Sequence, residues 1–382
     1  MQKICIVSTV ELPIVFFMLP HIKMLQQHYD LTIIVNTDNP HFLRPHGIEV
    51  KVIPVRIERK IRIIQDLKAL FRLVLVFRKN DFQLIHSIAP KAGLLTMLAG
   101  AISKTPIRVH CFTGQVWANS SGMKRLFLKH IDQLTALCAT HLLTDSHSQR
   151  DVLISEKIAS SEKLAVLANG SVSGVDPNRF YVNSELREVI RKQLGISADT
   201  VLFLFLGRLT KDKGVMDLAE AFKRLLCDTH NTEILFVGPD EENLQDKIIK
   251  SINKHSNKVH FIGYTKTPEQ YMMAADVLCL PSYREGFGMV TIEAAATGIP
   301  SIASNIYGIS DAIIDKETGL LHTPGSISEI ASCMSVMCKD VSTRNKLGRN
   351  ARERAIKLFS QDILVKALKD FYYLLLHGKQ SI

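Results

Sequence analysis

The sequence predicts an α/β protein built from two doubly wound parallel-sheet domains. Three observations carry that expectation. The chain has 382 residues, more than one ordinary domain holds and enough for two of roughly 150–200 each. Short apolar runs alternate with longer helix-period segments, the pattern of β-α units stacked around a parallel sheet. The pattern halts at a seam rich in Gly, Ser, Asn and Pro, NGSVSGVDPNRF (Asn169–Phe180), and then restarts.

In the first half the expected strands are KICIVST, LTIIVNT, EVKVIPV, LIHSIA, IRVHCFT, HLLTDS and KLAVLAN, with helices over Leu67–Arg78 and Lys124–Cys138. After the seam come a charged helix (Ser184–Leu194), VLFLFLGRL, a helix over Val215–Leu226, then TEILFVG, KVHFIGY, DVLCLPS and PSIASN. Each run is bounded by turn residues, as buried parallel strands are. The domains are therefore drawn at 1–178 and 179–359. A last helix within 360–382 lies beyond the second sheet and is free to cross back to the first domain. The apolar stretch Ile4–Pro20 is interrupted by Glu11 and Pro13, follows a single basic residue, Lys3, and precedes no small-residue cleavage site. It is also shorter than the ~20 residues of a membrane span. A strand, a loop and the start of a helix are expected there.

The composition, 46% apolar and 22% charged, excludes a disordered chain. Seven scattered cysteines with no CxxC pair argue against a disulfide framework and a zinc site, and for a reducing, cytoplasmic setting. The net charge of +10 calls for an anionic partner. A nucleic-acid partner would want basic residues interleaved with aromatics or a known module, and neither is present, so none is expected.

Two stretches carry chemistry. In REGFGMVTIEAAATGIPSIAS (Arg284–Ser304), Glu285 and Glu293 are separated by seven residues, and Gly286 and Gly288 precede an Ala-rich helix that begins near Met289. The glycines let backbone N–H groups approach an anion at the helix start, where orphan donors and the macrodipole favour phosphate. Glu285 then reaches a group beside the phosphates, and Glu293 is placed to accept hydrogen bonds from vicinal hydroxyls. In FLGRLTKDKG (Phe205–Gly214), Arg208 and Lys213 follow a strand on a loop flanked by Gly207 and Gly214. That is the carboxyl edge of a sheet, where open α/β folds bind ligands. Two cations there suit a pyrophosphate and would stabilise a departing nucleoside diphosphate. The bland alternatives are a Gly-rich turn with solvated glutamates and a basic surface loop.

Together GRLTKDKG and EGFGMVTIE, about 80 residues apart, resemble the donor-site signature of glycosyltransferase family 4, retaining enzymes of the GT-B fold. The likeness is close over about Val201–Leu321 and looser in the first half. It implies two Rossmann-like domains facing a cleft, with a nucleotide-sugar as substrate; the nucleotide is expected to be UDP, with GDP as the alternative. It implies that Glu285 contacts the donor hexose and Glu293 the ribose. Arg208 and Lys213 would bind the diphosphate, while Phe287, Gly288 and Met289 offer backbone amides. Gly263 and Tyr264 match the segment that passes the base. His110, in RVHCFTGQVW, stands where the family often has a histidine near the donor sugar; a strand-end histidine is otherwise commonly structural. NGSVSGVD resembles the form found in bacterial surface-polysaccharide transferases, and it serves equally as a linker. One departure stands out: where many relatives carry a Gly-Gly loop after the first strand, this chain reads STVELPIVFF. Phe16 or Phe17 there would suit a lipid-bearing acceptor or the core of a first helix.

The implied reaction is transfer of a hexose with retention to a hydroxyl of a polyprenyl-linked glycan, in the making of O-antigen, capsule or related polysaccharide. No Asp-x-Asp pair and no cluster of metal spacing occurs, so neither metal nor other cofactor is expected. Arg56–Asn80 interleaves basic and apolar residues. It reads as a helix on an anionic membrane, at the inner face, or as a domain helix with a solvated charged face. Three rivals stand beside this reading. A UDP-sugar epimerase needs further acid/base groups. A transferase making a soluble glycan would need no lipid acceptor. A non-enzymatic nucleic-acid- or membrane-binding protein leaves the four charged residues unexplained.

Overall fold

The computed structural model describes residues 1–58, 61–226 and 231–378. The chain divides into two compact units, Met1–Ser173 with the C-terminal helix, and Gly174–Ser360. The first boundary thus falls five residues before the expected one.

The first unit holds β1 (Lys3–Val10), β2 (Asp30–Asn36), β3 (Lys51–Pro54), β4 (Leu84–Ile88), β5 (Ile107–Phe112), β6 (His141–Thr144) and β7 (Leu164–Val166). All neighbours run parallel, in the order β3-β2-β1-β4-β5-β6-β7. Its helices are α1 (Glu11–Pro13), α2 (Leu19–Leu25), α3 (Ile63–Asn80), α4 (Pro90–Ile102), α5 (Gly122–Cys138) and α6 (His147–Ser155). Side chains alternate between two cores, as strands covered on both faces require. Cys5, Val7, Ile34 and Ile85 meet α3 and α4, whereas Ile4, Ile6, Ile33 and Leu84 meet α2.

The expected loop after the first strand is absent. The chain passes from Val10 straight into α1, then through a π-helical turn, Ile14–Met18, into α2. Pro13 and Pro20 do not break this path: each sits near the start of a turn, where its missing N–H would find no partner anyway.

The second unit holds β8 (Val201–Leu206), β9 (Thr232–Val237), β10 (Val259–Ile262), β11 (Val277–Leu280), β12 (Ser301–Ser304) and β13 (Gly319–His322), all parallel, in the order β10-β9-β8-β11-β12-β13. Its helices are α7 (Ser184–Leu194), α8 (Val215–Leu225), α9 (Gln245–Ile252), α10 (Pro268–Ala274), α11 (Met289–Ala296), α12 (Ile309–Ala312), α13 (Ile327–Lys339) and α14 (Val341–Phe359). In β8, Phe203 and Phe205 enter one core and Leu202 and Leu204 the other. The last strand, β13, is not among the expected strands because GLLH is too short to show a period.

Helix α15 (Gln361–His377) belongs to the first unit, packing on α2. Leu368 and Tyr372 complete the core there, and the Tyr372 hydroxyl lies 2.7 Å from His86 Nδ1.

Candidate active site

The candidate site grows from the carboxyl edge of the second sheet. The loop after β8 ends in a 3-10 turn, Lys211–Lys213, closed by Gly214 in the left-handed region at φ 69°. A Cβ on Gly214 would lie 2.1 Å from the Pro281 carbonyl oxygen, so this turn can press against the loop after β11 only as glycine. That approach brings together two distant parts of the sequence. Lys213 Nζ donates to Glu285 Oε1 at 2.5 Å, both side chains mostly buried. Beside them Arg284 contacts Asp212 at 3.4 Å, and the Thr210 hydroxyl donates to Asp212 at 2.5 Å. Burial pulls the Asp212 carboxyl upward, but Thr210, Lys213 and Arg284 outweigh it and hold it below the usual range.

Arg208, on the same loop, is exposed, and its guanidinium donates to Glu241 at 2.8 Å. The sequence expectation sets this arginine on the diphosphate and does not include its acidic partner. The signal was the acidic run GPDEEN after β9. Such a half-exposed pair is worth at most about 1 kcal/mol and yields readily to a doubly charged anion.

The loop after β11 turns into α11 through Gly288, at φ 80°, which serves as the helix N-cap. Phe287 is buried and meets Phe359 edge-on, anchoring the loop. Gly286 and Met289 complete the approach to the helix start. Glu293 lies in the second turn of α11. Burial is the main force on its carboxyl and lifts it to about 7; Arg179 pulls it down and Glu269 pushes it up. No hydrogen bond to this carboxyl is seen among the described residues. Such a group is held ready for a ligand donor. Gly263 and Tyr264 follow β10, two strands from β8, and Tyr264 is exposed. Sequence reasoning also missed Ser282 and Ser304, at the carboxyl ends of β11 and β12, whose buried hydroxyls have no partner among the described residues. Short polar residues at strand ends give no periodic signal.

His110 sits in the first unit, on β5, 1% exposed. Ser87 Oγ lies 2.9 Å from its Nδ1, and Phe112 meets the ring edge-on. A Cβ on Gly93 would fall 2.3 Å from its Cε1, so α4 leaves room for the imidazole by having glycine there. Burial depresses its pKa to about 4, and the ring is neutral at physiological pH. Among the described residues no group of three His, Cys, Asp or Glu side chains is arranged to hold a metal ion.

The model of "Glycosyl transferases group 1" matches residues 187–354, and that of "Glycosyl transferase 4-like domain" matches 23–170. The capsular polysaccharide biosynthesis glycosyltransferase CapM of Staphylococcus aureus is 30% identical over 341 residues, 89% of this chain and 88% of that one. The UDP-Gal:alpha-D-GlcNAc-diphosphoundecaprenol alpha-1,3-galactosyltransferase of Escherichia coli is 25% identical over 82% of this chain and 81% of its own. Among solved structures, Anabaena Alr3699/HepE in complex with UDP superposes with a TM-score of 0.80 at 20% identity, covering 97% of this chain and all of that one. The two sheets, their order and these likenesses agree: the chain is a GT-B protein and belongs to the family 4 glycosyltransferases.

Proposed function

We propose that the chain transfers a hexose, with retention, from a UDP-sugar to a hydroxyl of a lipid-linked glycan, at the cytoplasmic face of a membrane. The observation that carries this reading is the meeting of Lys213 and Glu285 beside the start of α11, with Glu293 on that helix making no hydrogen bond among the described residues. Binding of the diphosphate would draw Lys213 and Arg208 from their carboxylates, leaving Glu285 for the sugar hydroxyls. Glu293, once ionised, accepts from the two ribose hydroxyls. Gly286, Phe287, Gly288 and Met289 offer amides to the phosphates, Gly207 gives the backbone room, and Gly263 and Tyr264 line the base.

In the proposed step the bond from the anomeric carbon to the diphosphate oxygen breaks, and the acceptor oxygen bonds the same face of that carbon. The acceptor proton departs with the diphosphate. Lys213, Arg208 and the amide groups stabilise the charge that develops, work that a divalent ion does elsewhere, so no metal is needed. His110, held neutral, serves as a hydrogen-bonding group for the sugar and not as an acid. The solved neighbour in complex with UDP and the relative named for a diphosphoundecaprenol-linked acceptor support the choices of nucleotide and acceptor.

The test is calorimetric titration with UDP and then GDP, in EDTA, on the wild type and on Glu293→Ala. Binding of UDP that the substitution weakens by tenfold or more is expected. Failure of both nucleotides to bind would sink the reading.

A further inference from the structure

We propose that Arg179 is a positioning residue of the donor site, the counter-ion shared by Glu269 and Glu293 and the strut that holds the loop after β10. The proposal rests on the donor reading above, in which Glu293 takes the ribose and Gly263 and Tyr264 the base. Arg179 belongs to the second unit and stands on a tight turn. The N–H groups of Arg179 and Phe180 both donate to the Asp176 carbonyl oxygen, at 3.1 and 2.9 Å. Phe180 shares a core with Ile292 and Ala295 of α11, and the Arg179 guanidinium lies over its ring, 5.2 Å from the centroid. Turn and ring together fix the direction in which the arginine leaves the chain.

That direction leads to the loop after β10. Arg179 Nε and Nη2 reach Glu269 Oε2 at 2.9 and 2.8 Å, and Nη2 also donates to the Lys266 carbonyl oxygen at 3.0 Å. Lys266 stands two residues after Tyr264, and Glu269 lies in the first turn of α10, which packs against α11. One guanidinium therefore pins the loop at Lys266 and again where it enters α10. A lysine would keep the charge but has no planar fork to hold both contacts.

The same guanidinium faces Glu293. Two charges act on that carboxyl: Arg179 favours its ionised form and Glu269 opposes it. Helices α12 and α14 also pack against α11, but Arg354 of α14 is engaged with Asp311 of α12, 2.9 Å from its carbonyl oxygen. Arg349, Arg352 and Glu353 of α14 are exposed. Arg179 is thus divided between two carboxyl groups, and what Glu269 takes is lost to Glu293. A ribose donating to Glu293 favours the ionised form and strengthens its hold on Arg179, which carries the loop of Tyr264. Ribose and base are gripped through one residue.

The test is calorimetric titration of the full chain with UDP at pH 6, 7 and 9, beside a carbon-13 titration of the Glu293 carboxyl without ligand. That resonance is the one lost in Glu293→Gln. Arg179→Lys keeps the charge and loses the fork; its midpoint should stay, and UDP binding should weaken about threefold at every pH. Arg179→Gln loses both, so the midpoint should rise by about one pH unit. A further loss of about fivefold is then expected at pH 7 and should vanish by pH 9. Glu269→Gln keeps an acceptor for Arg179 and removes the opposing charge. Its midpoint should fall by about one unit, tightening UDP about fivefold at pH 6 and leaving pH 9 unchanged. Midpoints that stay put or move the same way in the two glutamine variants overturn the proposal, as does a lysine variant that follows Arg179→Gln. Should Arg179→Gln not fold, Glu269→Gln, isosteric with the native residue, decides alone. Midpoints that shift as expected in a chain that binds no UDP would refute the ribose reading and leave the shared counter-ion standing. UDP binding that follows pH in the wild type, with midpoints unmoved in the variants, would keep the donor reading and remove Arg179 from it.

Discussion

Lys213 Nζ lies 2.5 Å from Glu285 Oε1, a contact between residues 72 positions apart that joins the loop after β8 to the loop before α11. Both side chains are shielded, so removing either leaves a charge that solvent screens poorly. Lys213→Ala is expected to lower kcat by about 10²–10³, the usual effect of losing one stabilising donor. It should also cost about 1–3 kcal/mol in denaturant unfolding, the penalty of a stranded charged group. A double-mutant cycle with Glu285→Gln reads the coupling directly. Losses that simply add would show the pair to be incidental.

Glu293 makes pH the second probe. Its carboxyl ionises near 7 in the folded chain, against 4.5 ordinarily. Between those values the folded state keeps a proton that the unfolded state has lost, so this group lowers stability as pH rises from about 4.5 to 7. Glu293→Gln should flatten that slope, recovering on the order of 2–3 kcal/mol at pH 8. Nucleotide affinity should move the other way. The carboxylate accepts from ribose hydroxyls and the neutral acid does so poorly, so UDP binding in the wild type should tighten from pH 6 to pH 8. In Glu293→Gln it should be weak and flat. An affinity that does not respond to pH in the wild type would remove Glu293 from the ribose.

How far the sequence told this in advance follows from the reach of its signals. Every strand but β13 was legible, because buried parallel strands write continuous apolar runs such as VLFLFL, whereas GLLH is four residues long. The loop expected after β1 was not there; a π turn through Ile14–Met18 has no sequence period to betray it. The glycines and charges of the donor loops could be read, since each sits beside its strand or helix. Their pairing could not: that Lys213 takes Glu285, and Arg208 takes Glu241, depends on how the turns of β8, β9 and β11 fall along one sheet edge. Nor does any pattern in the sequence say that His110 is enclosed by Ser87, Phe112 and Gly93.

The three buried histidines of the first unit, His21, His86 and His110, give a spectroscopic prediction. Burial is the leading cause in each, and their values fall to about 4, about 3 and about 4. Their ring protons in nuclear magnetic resonance spectra should therefore keep neutral-imidazole shifts down to about pH 5. Each contributes stability that is whole above about 6.5 and fades as pH falls towards the folded value. A limb near pH 7 in the activity profile then belongs to a carboxyl lifted by burial, Glu293 or Asp145, and not to His110. Titration of the His110 resonance near 6.5 would contradict this enclosure.

Gly214 supplies the last prediction, because it holds the cation loop through geometry alone. It takes φ 69°, where a side chain is strained, and an added Cβ would lie 2.1 Å from the Pro281 oxygen and 3.1 Å from the Pro281 Cβ. Neither neighbour is the end of a flexible side chain, so the backbone itself must give. Gly214→Ala should cost at least about 2 kcal/mol, combining left-handed backbone strain with the clash. The same shift would part Lys213 from Glu285, so kcat should fall by about tenfold or more even in the folded fraction. Gly263→Ala is the control, since a Cβ there meets nothing within 4 Å and φ is ordinary; its melting temperature should stay within about 2 °C of the wild type. A Gly214→Ala protein as stable as that control would mean that the two loops do not press together as described.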